Sequence, residues 1–273
     1  TEIRSAKRAS DRYFLMNACL QAVYPDLERG QWRRAQRAAR TGARIASELS
    51  WPYGILEGAL TQGQVAAAMC AWDAADDFRR RAIEAPWGHH GHVDAELEYL
   101  EGEILAGRND FERAAGAFRS AGRAFRALGV WVYAARSRLR EAEALLRLGQ
   151  RPRAVRLCDG AWRSLAALPP EKRPPILWFP ATLLRAELRA GDGAGDPARA
   201  RETRYEVAEA LAQARAIHAI PYLWRLLASL ASLCVKLEET EEARRYAREA
   251  LRAFRDPRAS SPPTRRAALR APP

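Results

Sequence analysis

The sequence repeats itself at an interval of about 40 residues. Short matching segments end in alanines that stand 40, 39 and 40 residues apart, at Ala35, Ala75, Ala114 and Ala154. A fifth match ends at Ala243. Because a regular repeat of this length folds as an array of similar units, the chain is predicted to be a repeat protein rather than a fold built around one central sheet.

Each repeat is predicted to form two helices joined by a tight turn. In the last repeat, leucines at i, i+4, i+7 and i+11 over Leu226–Leu237 form one apolar helix face, and a second helix begins near Ala243. The same pattern predicts helices over 131–148 and 152–168, with Pro152 in a first turn, where its missing N–H costs nothing. Alanine and arginine abound while valine and isoleucine are scarce, so we predict an all-α chain.

Large aromatic residues head the first helix of most repeats. They are Trp51, Tyr53, Trp87, Trp131, Tyr133, Trp178, Phe179, Tyr222 and Trp224. A helical hairpin is apolar on more than one side, so these rings are predicted to pack each repeat on the next. An exposed aromatic recognition platform is the less favoured alternative.

The repeat is least regular between Pro174 and Pro221. Val207 stands in the alanine's place, but 53 residues after Ala154 and 36 before Ala243. This uneven spacing predicts an insertion loop at about 191–203. The repeat array is predicted to occupy residues 1–255, and the Pro- and Arg-rich residues 256–273 are predicted to form a disordered basic tail.

One repeat carries the pattern of small and aromatic residues typical of tetratricopeptide repeats: Gly102, Leu105, Phe111, Ala114, Phe118 and Ala121. The chain resembles that family over about residues 15 to 255. The resemblance implies a right-handed superhelix, or α-solenoid, of five to six helical hairpins. The period of this chain exceeds the ~34 residues usual for the family. In this respect the chain is similar to the extended repeats of bacterial regulators, in which a signalling ATPase, kinase, cyclase or DNA-binding domain is joined to a helical sensor array.

In such arrays the first helices line a concave groove. The polar residues that the resemblance assigns to it are Glu57, Gln64, Glu96, Tyr99, Glu103, Arg136, Glu143, Arg147 and Arg225. Carboxylates come early and guanidinium groups late, so a peptide or helix with basic and acidic ends would bind in one orientation. The alternative is that these are ordinary solvated helix-face charges.

The net charge of +12 is unevenly distributed. Residues 51–100 hold eight acidic and three basic residues, whereas every other segment of similar length is positive. A polyanion lying along the whole chain would be repelled there, which favours a protein partner. Nucleic-acid binding through the arginine faces of residues 33–44 and 136–163 stays open as an alternative.

Two segments contain residue types that occur in metal or phosphate sites, but neither has the spacing that such a site needs. His89, His90 and His92 with Asp94 are able to ligate a transition metal, but a solvated loop between repeats is favoured because the helical spacing of a rigid site is absent. The glycine run 191–195 lacks the strand and the Lys-Ser/Thr of a phosphate loop. We therefore expect no cofactor and no catalysis by this segment, although a catalytic domain is conceivable upstream.

The predicted cellular compartment follows from the cysteine pattern and from the absence of membrane-spanning and signal segments in the sequence. Cys19, Cys70, Cys158 and Cys234 are dispersed, so they are predicted to be small core residues rather than zinc ligands or disulfides. The longest apolar run, 65–72, is eight residues, far below the ~20 needed to span a membrane. No apolar signal segment follows Thr1, and we expect a cytoplasmic protein.

These observations favour a non-catalytic protein-interaction module. Because the chain opens at Thr1 without Met, it is expected to be the C-terminal sensor or scaffold part of a larger bacterial signalling protein. A free-standing adaptor or assembly chaperone of the same fold is the first alternative.

Overall fold

The computed structural model describes residues 2–85, 91–169, 172–190 and 196–255, with side chains from residue 11 onward. These residues form twelve helices and, within those ranges, no strand: α1 (Glu2–Glu28), α2 (Trp32–Glu48), α3 (Pro52–Ala68), α4 (Trp72–Ile83), α5 (Gly91–Gly107), α6 (Phe111–Ala127), α7 (Trp131–Arg147), α8 (Arg151–Ala166), α9 (Pro175–Ala190), α10 (Pro197–Ala216), α11 (Ile220–Lys236) and α12 (Thr240–Arg255). The all-α prediction is confirmed, and twelve helices are the number that six hairpins require.

The chain divides into two compact units. The first unit extends to Leu148 and contains α1 to α7, and the second begins at Gly149 and contains α8 to α12. Within each unit, helices that follow one another in sequence pack side by side, and α3 also contacts α1 and α5, the first helices of its neighbouring repeats. The first unit therefore brings successive first helices together.

The repeat alanines mark the same place in five of the six second helices, α2, α4, α6, α8 and α12. Ala35, Ala75, Ala114 and Ala154 are each the fourth residue of their helix, and each is completely buried. Ala243 is the fourth residue of α12 and is also buried. Within the units, a methyl side chain at this position allows close approach of α1 to α2, α3 to α4, α5 to α6 and α11 to α12.

The first helices use glycine for the same purpose. A Cβ atom added at Gly102 would lie 2.7 Å from the ring of Phe118, and one added at Gly63 would lie 2.7 Å from Leu100. Gly102 is a position that the sequence pattern predicts to be small. The aromatic ring thus fills the space that the missing side chain leaves.

The irregular repeat differs from its prediction in one respect. The predicted insertion loop at about 191–203 is wrong over 197–203, where α10 has already begun; residues 191–195 lie outside the described ranges. The Asp196 side chain accepts a hydrogen bond from the Ala198 N–H at 2.9 Å, and Pro197 supplies a preformed first turn. Val207 is completely buried, as expected of a residue in the alanine's place.

The aromatic and cysteine predictions hold only in part. Trp178 and Phe179 are buried, but Trp131 is 54% exposed, because it is the first residue of α7, and Trp224 packs edge-on against the exposed Phe254. Tyr222, Trp51 and the remaining described rings are half-buried, and Trp87 lies outside the described residues.

Among the cysteines, Cys158 and Cys234 are buried as predicted, and Cys19 is half-buried. The prediction for Cys70 is wrong, since this residue is exposed. It has a φ of +57° in the turn after α3, where the chain must reverse and the backbone takes a left-handed conformation.

Candidate functional site

The polar residues predicted to line the groove follow the register of the repeat. Glu57, Glu96 and Arg136 are each the sixth residue of a first helix, in α3, α5 and α7 of the first unit. Arg225 is the sixth residue of α11 in the second unit. We use the term first-helix face for the surface of the first unit formed by Tyr24, Glu28, Tyr53, Glu57, His92, Glu96, Tyr99, Glu103, Tyr133, Arg136 and Arg140.

One part of the first-helix face is acidic. Glu96 is buried, Glu57 is half-buried, and the amide of Gln21 donates to Glu57 Oε1 at 3.5 Å. Burial, together with the negative charge of Glu96, raises the pKa of Glu57. Burial and then the two carboxylates also raise the pKa of Tyr24 and of Tyr53, so both phenols stay protonated.

His92 forms the edge of this acidic part. Its Nε2 lies 3.3 Å from Glu96 Oε1, and its ring packs edge-on against Phe125 and Tyr133, with centroids 5.7 and 6.0 Å away. The hydrogen bond to Glu96 raises the pKa of His92 despite its partial burial. His92 is the second residue of α5, and its imidazole therefore pairs with Glu96 of the same helix.

The structure gives little information on the other residues of the predicted histidine cluster. His89 and His90 lie outside the described residues, and Asp94 follows His92 on α5. The part of the chain that is described contains one group with three ligand atoms within 4.8 Å of one another, Cys234, Glu239 and Glu242. Arg204 pairs with both carboxylates, and its positive charge disfavours a cation there.

In the other part of the first-helix face, Arg140 binds two carboxylates. Its Nε and Nη2 atoms donate to the two carboxylate oxygens of Glu103 at 2.7 and 2.8 Å, and its Nη1 pairs with Glu143. Burial disfavours the Glu103 carboxylate, but the charges of Arg140 and Arg136 outweigh this and lower the pKa of Glu103. A bidentate pair of this kind fixes both side chains.

Tyr99 lies beside this pair in the core. Its side chain is 7% exposed, its ring packs edge-on against Phe118 at 5.4 Å, and the Arg136 guanidinium lies 4.7 Å from the ring centroid. Burial, with the charge of Glu103 adding to it, raises the pKa of Tyr99. The Tyr99 hydroxyl faces Glu103, and its interaction with that carboxylate helps to lower the pKa of Glu103.

Six of the nine predicted groove residues interact with one another directly or through a shared neighbour: Glu57, Glu96, Tyr99, Glu103, Arg136 and Glu143. Of the other three, Gln64 is half-buried in α3, Arg147 is the exposed last residue of α7, and Arg225 is exposed in the second unit.

Arg140, Glu28 and the tyrosines of α1, α3 and α7 were absent from the predicted set. A signal for some of them exists, because Tyr53 and Arg140 stand four residues from Glu57 and Arg136 on the same helix face.

Replacing Glu103 with glutamine is expected to lower the free energy of unfolding by about 1–3 kcal/mol at pH 7. The folded-state pKa of Glu103 is lowered, so its contribution is present above the unfolded-state pKa and is lost as pH falls through the folded-state value. Urea unfolding at pH 7 and at pH 3 measures this. The gap between wild type and variant should shrink at pH 3; an equal gap at both pH values would contradict the assignment.

No protein-family model matches the chain, and no curated protein sequence matches it. Solved structures do resemble it. The Rap protein complexed with competence and sporulation factor superposes with a TM-score of 0.66 at 17% identity, covering 91% of this chain and 65% of the Rap chain. This chain therefore spans just under two thirds of the length of Rap.

Two further structures cover nearly all of both chains. BtubC (BKLC) from P. vanneervenii has a TM-score of 0.55 at 14% identity, with 92% of this chain and 94% of BtubC covered. PilF from Pseudomonas aeruginosa has a TM-score of 0.48 at 16% identity, with 89% and 94% covered. At these identities the similarity concerns the fold, which is a helical repeat like that of tetratricopeptide proteins.

Among the described residues, no helix combines the length and the apolar character needed to cross a bilayer.

Proposed function

We propose that this chain is a protein-interaction module that binds a segment of a partner protein on the first-helix face of the first unit. The observation that carries the proposal is the division of charge along successive first helices. Carboxylates occupy the sixth position of α3 and α5, and a guanidinium occupies the same position of α7. A partner segment with a basic and an acidic group would therefore bind in one orientation.

The Rap structure supports this proposal by its fold and by the molecule that is bound to it. That protein was crystallised in complex with competence and sporulation factor, so a helical repeat of similar arrangement does hold another molecule. The partner proposed for this chain is a protein or peptide segment. Gln64, Glu143 and Arg147 are proposed as flanking contacts on this face, because the resemblance assigns them to the groove. Arg225 is proposed as a contact of the second unit by itself.

We further propose that the module is the C-terminal sensor or scaffold part of a larger cytoplasmic regulatory protein of bacteria. The resemblance to extended repeats of bacterial regulators supports this role. In this proposal a kinase, ATPase or cyclase domain upstream supplies the catalysis, and the repeat array supplies recognition without a cofactor.

Nucleic-acid binding receives less support, because carboxylates already accompany many of the arginines concerned. Arg34 lies 3.1 Å from Asp26, and Arg44 pairs with Glu48 on the same helix. An arginine that is already paired with a carboxylate neutralises a phosphate poorly, so fewer counterions would be released from the nucleic acid.

Selection of random peptides displayed on phage tests the proposed function. The wild-type chain is expected to enrich a set of related peptides, and Arg136→Gln is expected to bind them at least about tenfold more weakly, since a charge-assisted hydrogen bond is lost. Arg123→Gln, which changes an exposed arginine of α6, is the matched control and should bind as wild type does. Failure to enrich peptides, or equal binding by a folded Arg136→Gln variant, would contradict the proposal.

A further inference from the structure

One exposed side of α1 is apolar. Phe14 is 66% exposed and Leu15 is 53% exposed, Ala18 and Pro25 are exposed, and Ala22 is half-buried. We call the side of the helix formed by these five residues the outer face of α1. Residues 13–25 contain no charged residue. A helix that is apolar on all sides is normally buried, so the outer face points to a partner that covers it.

The outer face lies opposite the side of α1 that packs within the first unit. Met16, Leu20 and Val23 are completely buried, and α1 contacts α2 and α3. With 3.6 residues per turn, these three residues point away from the outer face. Tyr24 and Glu28, which belong to the first-helix face, lie on the helix between the two sides. A partner on the outer face is therefore independent of the proposed function.

The spacing along the outer face is that of a helix that pairs with another helix. Intervals of three, four and three residues separate Leu15, Ala18, Ala22 and Pro25. Intervals that alternate between three and four keep one seam of a helix facing a partner helix, as in a coiled coil. The two alanines in the middle of this seam allow the two helix backbones to approach closely.

The seam ends in a charged residue on either side. Asp11 stands four residues before Leu15, and Arg29 stands four residues after Pro25, so both continue the spacing, and both are exposed. Arg29 still belongs to the last helical turn, since its N–H donates to the Pro25 carbonyl oxygen at 3.2 Å. The seam thus begins with a negative charge, is apolar in its middle and ends with a positive charge.

We infer that the outer face of α1 is the interface of a homodimer, in which the α1 helices of two copies pair in an antiparallel arrangement. Ala18 of each copy then faces Ala22 of the other, and Leu15 faces Pro25. The same symmetry brings Asp11 of each copy to Arg29 of the other. One twofold axis, midway between Ala18 and Ala22, relates the members of all three pairs.

The charges at the ends of the seam favour this partner and this orientation. A parallel pair of α1 helices would oppose Asp11 to Asp11 and Arg29 to Arg29, which repulsion between like charges disfavours. In the antiparallel pair the seam is complementary to itself, so a second copy of this chain supplies both the apolar surface and the opposite charges. A closed twofold dimer also uses the patch of both copies and leaves neither exposed.

The dimer is expected to be weak. One pair of helices buries less than the ~1,200 Å² at the lower end of stable interfaces. The two copies should therefore separate on dilution.

Sedimentation velocity from about 5 to about 500 μM protein, in the presence of a reductant, tests this interface. The reductant prevents a disulfide between copies through the exposed Cys70. The mass of the wild-type particle is expected to rise from one chain to two and no further. A chain that is monomeric over the whole range, or a mass that continues to rise beyond two chains, would overturn the inference.

Ala18→Glu should raise the dimer Kd at least about tenfold, because each copy would bury an unpaired charge in the middle of the seam. Ala18 is exposed in the single chain, so thermal unfolding of the variant should match that of wild type. Ala74→Glu, which changes an exposed alanine of α4, is the matched control and should dimerise as wild type does. Equal dimerisation by a folded Ala18→Glu variant would place the contact elsewhere and overturn the inference.

Charge reversal tests the antiparallel orientation. Asp11→Lys alone and Arg29→Glu alone should each raise the dimer Kd at least about threefold, since like charges would then meet at both ends of the seam. The Asp11→Lys/Arg29→Glu double variant should dimerise as wild type does, because opposite charges meet again. If the single variants dimerise as wild type does, or the double variant does not recover dimerisation, the antiparallel pairing is wrong.

Discussion

Replacing Glu206 with alanine is expected to lower the free energy of unfolding by about 3–5 kcal/mol, because it leaves a buried guanidinium without its main partner. Glu206 Oε1 accepts from Arg185 Nη1 at 2.5 Å, and both side chains are about one-tenth exposed. Burial raises the pKa of Glu206, while Arg185 acts in the opposite direction. The variant would keep Asp159, 3.6 Å from Arg185 Nε, as the remaining carboxylate.

The matched control is Glu202→Ala in the same helix. Glu202 lies 3.4 Å from Arg189 and is 58% exposed, so its loss should cost less than about 1 kcal/mol. The double replacement Arg185→Met/Glu206→Leu should recover most of the stability, since an apolar pair satisfies the site without a charge. Urea unfolding followed by circular dichroism measures all three. If Glu206→Ala lowered the free energy of unfolding by less than about 1 kcal/mol, Arg185 and Glu206 would not form a tightly buried ion pair.

Replacing Gly58 with alanine is expected to destabilise the chain by about 1–3 kcal/mol, although alanine is the better helix former. A Cβ atom at this position would lie 2.8 Å from both the Cα and the Cβ of Ala43 in α2. Backbone atoms do not rotate away as a flexible side chain does, so α2 and α3 would have to separate. The midpoint of urea unfolding is the measurement.

Gly116→Ala provides the opposite result as a control. This glycine is also in the middle of a helix, α6, but an added Cβ would meet no atom within 4 Å. The variant should therefore stabilise the chain by about 0.5–1 kcal/mol through helix propensity alone. If both glycine variants changed stability by the same amount and in the same direction, close helix approach at Gly58 would be disproved.

The helices and the register of the repeat were predictable because both depend on residues close together in the sequence. The alanine spacing located the fourth residue of α2, α4, α6 and α8, and leucine periodicity located α11. Prediction failed where a local signal was overlooked or a three-dimensional one was needed. The Asp196–Pro197 cap is a local signal for the start of α10, whereas the exposure of Trp131 depends on what packs beside the start of α7.

The sequence by itself determined that the chain is an all-α repeat array, and the family resemblance assigned polar residues such as Glu57, Glu96 and Arg136 to its first helices. Periodicity is a property of one helix at a time, so it assigns residues to a face but not to partners. Tertiary packing alone decided that Arg140 binds both oxygens of Glu103 and that Glu57 accepts from Gln21. The physical reason is that pairing depends on the distance between side chains of different helices, which close packing of the small residues sets.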